Sequence, residues 1–328
     1  MRVLFFGTSP FAVPTLLKIL QSRHEVVGVV TQPDRPHGRR MSESFSPVKK
    51  AILDFDPEFK LLQPEKARTK EFRLAVRDLN PDVLVVAAFG QILSQRLLDV
   101  PKYGGINVHG SLLPRWRGAA PMQYSMIAGD TSTGVTIMEM SAGLDSGDVL
   151  LQKAILLKAD DDIDSVEAKL SGIGADLLLE TLERLEISDI IGTPQDESLV
   201  TYAPALPPDF GFIDWNKSAE GISNLIRGVT PRPGAFAFVG GKRIKIWRSA
   251  VDQSTGDTVP GTIVELRKSG ELGILVQSGD RSRLLVKEVQ PESKARMQAL
   301  DFARGARLVA GSKFDIYDRT ARTGSENS

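Results

Sequence analysis

The stretch Asn107-Val108-His109-Gly110-Ser111-Leu112-Leu113-Pro114-Arg115-Trp116-Arg117-Gly118-Ala119-Ala120-Pro121 decides how the chain is read. It follows an apolar run, Val83-Leu84-Val85-Val86-Ala87-Ala88, and precedes a β-rich Gly134-Val135-Thr136-Ile137-Met138. A continuous apolar run of this kind suits a strand of a parallel sheet covered on both faces. Side chains alternate along a strand, so Asn107 and His109 share one face. A strand that ends in Asn-x-His and breaks into a Gly/Pro loop presents polar groups at its carboxyl end, where ligands bind in open α/β sheets. Taken alone, the pair fits a capped turn as well as it fits a site. Asp145, in Gly143-Leu144-Asp145-Ser146-Gly147-Asp148, supplies a third polar partner and tips the reading towards a site.

Working outward, Arg2 to Phe6 is an apolar strand, and Gly7-Thr8-Ser9-Pro10 is a turn that starts a helix over Phe11 to Leu20. His24 to Thr31 is a second strand. Strand, glycine turn, helix and strand make a βαβ unit, hence a parallel sheet with a right-handed crossover. Gly7 is the only glycine before Gly28, so the phosphate-binding fingerprint of dinucleotide enzymes is absent. A long polar loop, Gln32 to Pro47, carries Arg35, Arg39 and Arg40. It reads equally as an arm that grips phosphate and as a solvated loop. Helices follow over Pro47 to Leu53 and Arg68 to Asp78, around a short strand at Lys60 to Leu62. A central strand, Asp82 to Ala88, exits through Phe89-Gly90-Gln91-Ile92-Leu93, and Gly105 to Val108 delivers His109. A helix over Pro121 to Ala128, strands over Gly134 to Met140 and Asp148 to Leu157, and a long helix over Ile163 to Leu185 complete the region.

At 328 residues, two domains are the natural expectation. Hydrophobic content of 41% and charged content of 25% are ordinary for a soluble globular protein. The absence of cysteine excludes disulfides, thiolate metal sites and cysteine nucleophiles, and three histidines argue against a His-rich metal site. No segment reaches 18 uncharged apolar residues, so no membrane span is expected. The apolar start, Met1 to Phe6, is too short for a signal peptide, and a cytoplasmic setting is expected.

A catalytic domain over 1–190 is followed by a polar, proline-containing stretch, 191–207, read as a linker. Short β-type runs between Ala235 and Val289 are separated by Gly240-Gly241, Ser269-Gly270 and Gly279-Asp280, the pattern of hairpins. The fold class is therefore α/β: a Rossmann-like, mostly parallel sheet plus an OB-fold-like β-barrel over 208–318, with a disordered tail over 319–328. From Pro208 onward there are 19 Lys/Arg against 14 Asp/Glu, which points weakly to a polyanion on that side.

Several pieces in order carry a resemblance: Phe6-Gly7-Thr8-Ser9-Pro10-Phe11-Ala12, Thr31-Gln32-Pro33-Asp34-Arg35-Pro36, Ser46-Pro47-Val48-Lys49, Gly105 to Pro121, Gly134 to Met138, Gly143 to Asp148 and Ile213-Asp214-Trp215. Over about residues 1 to 315 the chain resembles the methionyl-tRNA formyltransferases. The resemblance implies that the α-amino group of methionine on initiator methionyl-tRNA attacks the formyl carbon of 10-formyltetrahydrofolate, without a metal. It implies catalytic roles for Asn107, His109 and Asp145. Phe89, Gly90, Gln91 and Ile92 would line the pterin side, and Ser111, Leu112, Leu113 and Pro114 would shape the folate pocket, with a cis bond before Pro114. Arg35, Arg39 and Arg40 match the family's basic loop near the tRNA acceptor end. Lys242, Arg243, Lys245 and Arg248 are candidates for backbone phosphate contacts; a solvated strand face accounts for those four equally well. A monomer is expected.

The chain departs from the family pattern at Ser42-Glu43-Ser44, at Ala205 and Pro207, and at Arg232, where tryptophan is usual; none belongs to the catalytic set. Alternatives of the same chemistry are the hydrolase module of formyltetrahydrofolate dehydrogenase and the nucleotide-sugar formyltransferases. Glycinamide ribonucleotide transformylase lacks the second domain. A nucleotide-dependent oxidoreductase is disfavoured by the missing glycine fingerprint, and a non-catalytic tRNA-binding protein by the intact polar trio.

Overall fold

The computed structural model describes residues 1–37 and 42–315. Arg39, Arg40 and the tail over 319–328 lie outside them. The chain divides into two compact units. The first takes Met1–Met122, Thr131–Lys158 and Ser165–Ala205; the second takes Gln123–Asp130, Ala159–Asp164 and the chain from Leu206 onward. Most of the stretch expected to be a linker thus belongs to the first unit.

In the first unit, β1 (Arg2–Gly7) leads through a 3-10 turn, Pro10–Ala12, into α1 (Val13–Leu20) and β2 (Glu25–Val30). The helix starts later than the apolar spacing alone implies, because the prolines at 10 and 14 favour a tight first turn. The loop after β2 is not wholly irregular: β3 (Arg35–His37) pairs antiparallel with β4 (Ser42–Ser44). Next come α2 (Pro47–Phe55), β5 (Leu61–Leu62), α3 (Lys70–Asp78), β6 (Val83–Ala87), α4 (Gln95–Leu98) and β7 (Gly105–His109). The helix starts are written locally. Ser46 Oγ accepts from Lys49 N at 3.0 Å with proline next in sequence, and Thr69 Oγ1 accepts from Phe72 N at 3.2 Å. The unit continues with α5 (Pro121–Ile127), whose later residues pass into the second unit, β8 (Ser132–Glu139), β9 (Val149–Leu156) and α6 (Ile163–Glu186).

The sheet order is β5-β2-β1-β6-β7-β8-β9. Pairing is parallel from β5 to β7 and antiparallel from β7 to β9. β7 is thus where the direction changes, with Asn107 opposite Val86 on one side and Met138 on the other. The buried strands β1 and β6 supply the core, where Phe6 meets the rings of Phe72 and Phe89 edge-on at 6.2 and 5.3 Å. Val108 points away from the Asn107–His109 face and meets α6. A Cβ on Gly174 would lie 2.8 Å from Val108 Cγ1, so glycine lets this helix come close to β7. One face of the strand is packed and the opposite face carries the polar groups.

The second unit starts with α7 (Ala219–Val229), capped by Ser218, whose Oγ accepts from Gly221 N at 3.1 Å. Strands β10 (Phe236–Val239), β11 (Lys242–Asp252), β12 (Ile263–Arg267), β13 (Gly273–Gln277) and β14 (Arg283–Pro291) follow, then β15 (Met297–Gln298) and α8 (Ala299–Gly305). The antiparallel order is β10-β11-β14-β13-β12, with β15 on β14. Met297 is paired with Val289, so α8 starts after it. Residues 311–315 bridge the two edge strands: Ile263 N donates to Ser312 O at 2.7 Å and Asp315 N to Phe238 O at 2.8 Å. The OB-like barrel is closed by this segment. Trp215 and Phe314 stack inside it at 4.8 Å.

Arg267 donates to the Asp252 carboxylate, and this bond, helped by Ser254, holds the Asp252 pKa at about 2 instead of 3.8. A depressed carboxyl pKa stabilises the fold above the unfolded-state value, and that contribution is lost as pH falls through the folded one. Arg267→Gln is expected to lower stability at neutral pH. In denaturant titrations the gap to wild type should narrow between pH 4 and pH 2; a pH-independent gap would contradict this.

Candidate active site

β7 and two loops build the site. The Asn107 and His109 side chains leave the same face of the strand; His109 is 5% exposed and Asn107 half-buried. Among the described residues the Asn107 carboxamide takes no hydrogen-bond partner, which leaves its donor for a ligand. His109 Nε2 lies 3.0 Å from the carbonyl oxygen of Trp116. A carbonyl only accepts, so Nε2 carries the proton and the ring is fixed with Nδ1 facing Asp145 Oδ2 at 3.7 Å. That distance exceeds a hydrogen bond and leaves the Nδ1 edge open to a ligand.

Asp145 sits at φ 47, in the left-handed region that non-glycine residues seldom adopt. Its Oδ2 accepts from the backbone N–H of Gly118 at 2.8 Å. Among the described residues, Oδ1 accepts no hydrogen bond. Two backbone groups of one turn, Trp116 C=O and Gly118 N–H, therefore hold the imidazole and the carboxylate. The site thus offers an unengaged amide donor, an imidazole with one fixed edge, and a carboxylate with one free oxygen. Such a set can stabilise negative charge on a carbonyl oxygen and take a proton from a nucleophile. Among the described residues no group of three or more His, Cys, Asp or Glu is placed to hold a metal ion.

The loop after His109 is braced from the neighbouring strands. Thr136 Oγ1 donates to Ser111 O at 2.7 Å and accepts from Leu113 N at 3.1 Å. Gln152 Nε2 donates to Leu113 O at 2.8 Å. Leu113–Pro114 is a cis peptide, as expected. Ser111 is wholly buried and its Oγ donates to Arg115 O, so it shapes the loop from within, while Leu112 and Pro114 are half-buried. In the other loop Phe89 is core, and its carbonyl accepts from Thr8 Oγ1 at 2.8 Å and Gln32 Nε2 at 3.2 Å. Gln91 turns inward to Ala67 N, Gln32 and Pro64 O. Gly90 is exposed, and the Ile92 side chain is 84% exposed, which makes these two the accessible members of the four.

The described cationic candidates differ in their immediate surroundings. Arg35 is exposed and lies 3.7 Å from Glu65. In β11, Arg243, Lys245 and Trp247 alternate with the buried Ile244 and Ile246 and share the outward face. Arg243 covers the Phe236 ring at 3.8 Å. Lys242 is exposed at the strand start, and a register shift carries Arg248 into a cleft with Glu271, Lys287 and Glu288.

Sequence reasoning missed the residues that position the trio: Thr136 and Gln152 at alternate strand positions, Arg117, and the segment from Thr193 to Ala203. Arg117 N donates to Thr201 O at 2.9 Å, and Ala203 N donates to Arg117 O at 2.8 Å. It also missed Trp247, which lies under Arg296 at 4.7 Å. The 193–203 segment has no periodicity to reveal it; Trp247 could have been found as an aromatic between basic strand positions.

The formyl transferase sequence profile matches residues 1–182, and that of the formyl transferase C-terminal domain matches 205–307. The chain belongs to the formyl transferase family. It is 44% identical over 318 residues to the methionyl-tRNA formyltransferase of Geotalea daltonii, covering 97% of this chain and 99% of that one. Identity to the Geobacter sulfurreducens methionyl-tRNA formyltransferase is 45% over 313 residues, 95% and 96% of the two chains. Among solved structures, the Helicobacter canadensis N-formyltransferase in complex with folinic acid and dTDP-3-aminofucose aligns with a TM-score of 0.65 at 16% identity. That alignment covers 89% of this chain and 99% of the other. HypX from Aquifex aeolicus in complex with tetrahydrofolic acid aligns with a TM-score of 0.62 at 17% identity, covering 96% and 48%. At these identities the two structures speak for the fold alone.

Within this formyl transferase, Gly118 is a sensitive position. Its φ is 128, and a Cβ there would lie 2.6 Å from the carbonyl oxygen of Ala203. Gly118→Ala is expected to destabilise the fold by about 1–3 kcal/mol and to lower turnover about tenfold as Gly118 N–H leaves Asp145. Thermal unfolding and steady-state assays check both effects; unchanged values in both would contradict the geometry.

Proposed function

We propose that this enzyme transfers the formyl group of 10-formyltetrahydrofolate to the α-amino group of methionine on initiator methionyl-tRNA, giving formyl-methionyl-tRNA for translation initiation. The observation that carries the reading is the unengaged Asn107 amide on the same face as a His109 whose open Nδ1 edge faces Asp145. Relatives called methionyl-tRNA formyltransferase, similar over nearly the whole length, support the acceptor. Membership of the formyl transferase family supports the donor class.

In that reaction the amine adds to the formyl carbon, negative charge builds on the formyl oxygen, and the bond to the folate nitrogen breaks as that nitrogen takes up a proton, releasing tetrahydrofolate. Asn107 Nδ2–H donates to that oxygen and orients the formyl group. His109 lies beside the same oxygen, its ring held by the Nε2–H bond to Trp116 O. The free Oδ1 of the Asp145 carboxylate accepts the proton that the attacking amine releases, directly or through one water. Leu112 and Pro114, with Gly90 and Ile92, line the folate side. The outward face of β11, with Arg243 and Lys245 beside Trp247, meets the tRNA: the cations contact phosphate and the indole offers a stacking surface. Arg35, Arg39 and Arg40 serve the acceptor end. The enzyme acts as a monomer in the cytoplasm. Among the described residues no helix is long and apolar enough to cross a membrane.

The test is formyl transfer from 10-formyltetrahydrofolate to initiator methionyl-tRNA, elongator methionyl-tRNA and water. Transfer to the initiator alone is expected. Asn107→Ala and Asp145→Ala should each lower it about 10²–10³-fold. Folate turnover without tRNA would instead mark a hydrolase, and no turnover with any acceptor would overturn the assignment.

A further inference from the structure

Arg117 lies between the two residues whose backbone holds His109 and Asp145, and it is buried, 3% exposed. Its Nε and Nη2 donate to Gln195 Oε1 at 3.0 and 2.9 Å. Its two terminal nitrogens pair with Glu197 at 2.8 and 3.3 Å. The opposite end of the same carboxamide, Gln195 Nε2, donates to the carbonyls of Asp145 at 2.8 Å and Gly147 at 2.7 Å. Gln195 is thus a bridge with a cation on its acceptor end and the Asp145 loop on its donor end.

We propose that Gln195 is a positioning residue for the reaction: it fixes the backbone of 145–147 so that the Asp145 carboxylate stands against His109 and keeps Oδ1 free. This rests on the reading of Asp145 as the proton acceptor. Three observations carry it. Asp145 is in a left-handed backbone conformation that an L-residue adopts only under constraint, and Gln195 supplies two bonds at that point. Gly118 N–H, the other constraint, holds the carboxylate but not the backbone. The Arg117 charge is already met by Glu197, so the glutamine is not needed as its counter-ion. Gln195 instead carries a neutral amide, the group that can accept from a guanidinium and donate to carbonyls at once. The stretch read in the sequence as a linker therefore takes part in the active site.

Gln195→Glu separates the two ends of the bridge. The carboxylate still accepts from Arg117 but presents oxygen to the carbonyls of Asp145 and Gly147. Expected are a folded protein, a kcat about 10- to 100-fold lower and KM values for both substrates within about twofold, since misplacing a group that acts only in the transition state spares ground-state binding. In an Asp145→Asn background the same substitution is expected to change kcat by less than about twofold, because a residue acting through Asp145 has nothing left to position. Glu197→Ala, at the exposed outer end of the clamp, is the second variant, with kcat about threefold lower in wild type and unaltered in Asp145→Asn. Equal losses in both backgrounds, a rise in KM alone, or no loss in either variant would overturn the proposal while leaving the role of Asp145 intact. Asp145→Asn as fast as wild type would overturn the role of Asp145 and the proposal with it.

Discussion

Two backbone groups in one turn govern this site. The carbonyl of Trp116 fixes the His109 ring and the N–H of Gly118 fixes the Asp145 carboxylate. Neither bond depends on side-chain chemistry in that turn, so what is required of the sequence is a backbone shape. Gly118 sits at φ 128 against Ala203, and Trp116 itself is at φ 65. Such conformations cost free energy and persist where the surroundings impose them. Here the surroundings are the 193–203 segment on one side and the loop after β7, braced by Thr136 and Gln152, on the other.

This explains what could be read from the amino acids and what could not. The parallel sheet was legible because β1 and β6 are nearly uninterrupted apolar runs, and the shared face of Asn107 and His109 follows from strand alternation alone. Asp145 was legible as a candidate partner from its glycine-rich stretch, but its catalytic role came only through resemblance, since the loop that returns it to β7 leaves no periodic trace. The role of Gln195 was illegible: a glutamine in a polar, proline-containing stretch looks like solvent-facing chain. Its partners are 78 and 50 residues away, and only the fold brings them together. In the second unit, glycine pairs marked the hairpins, but the closing segment 311–315 contributes single bridges that no pattern announces.

The folate-side and tRNA-side candidates divide on the same physical ground. Where a side chain's hydrogen bonds are already satisfied inside the protein, as in Ser111 and Gln91, its contribution to a ligand is through shape. Where polar or apolar groups reach solvent, as Ile92 does largely and the Arg243–Lys245–Trp247 face in part, direct contact is available. Arg248 was grouped with that face by sequence proximity, but a register shift in β11 places it in a cleft of mixed charge with Glu271, Lys287 and Glu288, which a linear reading cannot anticipate.

In the proposed reaction Asn107, His109 and Asp145 surround the formyl group of the folate. The most direct measurement is a crystal structure with 5-formyltetrahydrofolate, the isomer whose formyl group is not transferred. The pterin is expected against the Gly90–Ile92 loop and the formyl-bearing region within about 5 Å of the Asn107 amide, with Asp145 Oδ1 still open to the acceptor side. A folate bound elsewhere, or one whose formyl-bearing region points away from this trio, would contradict it.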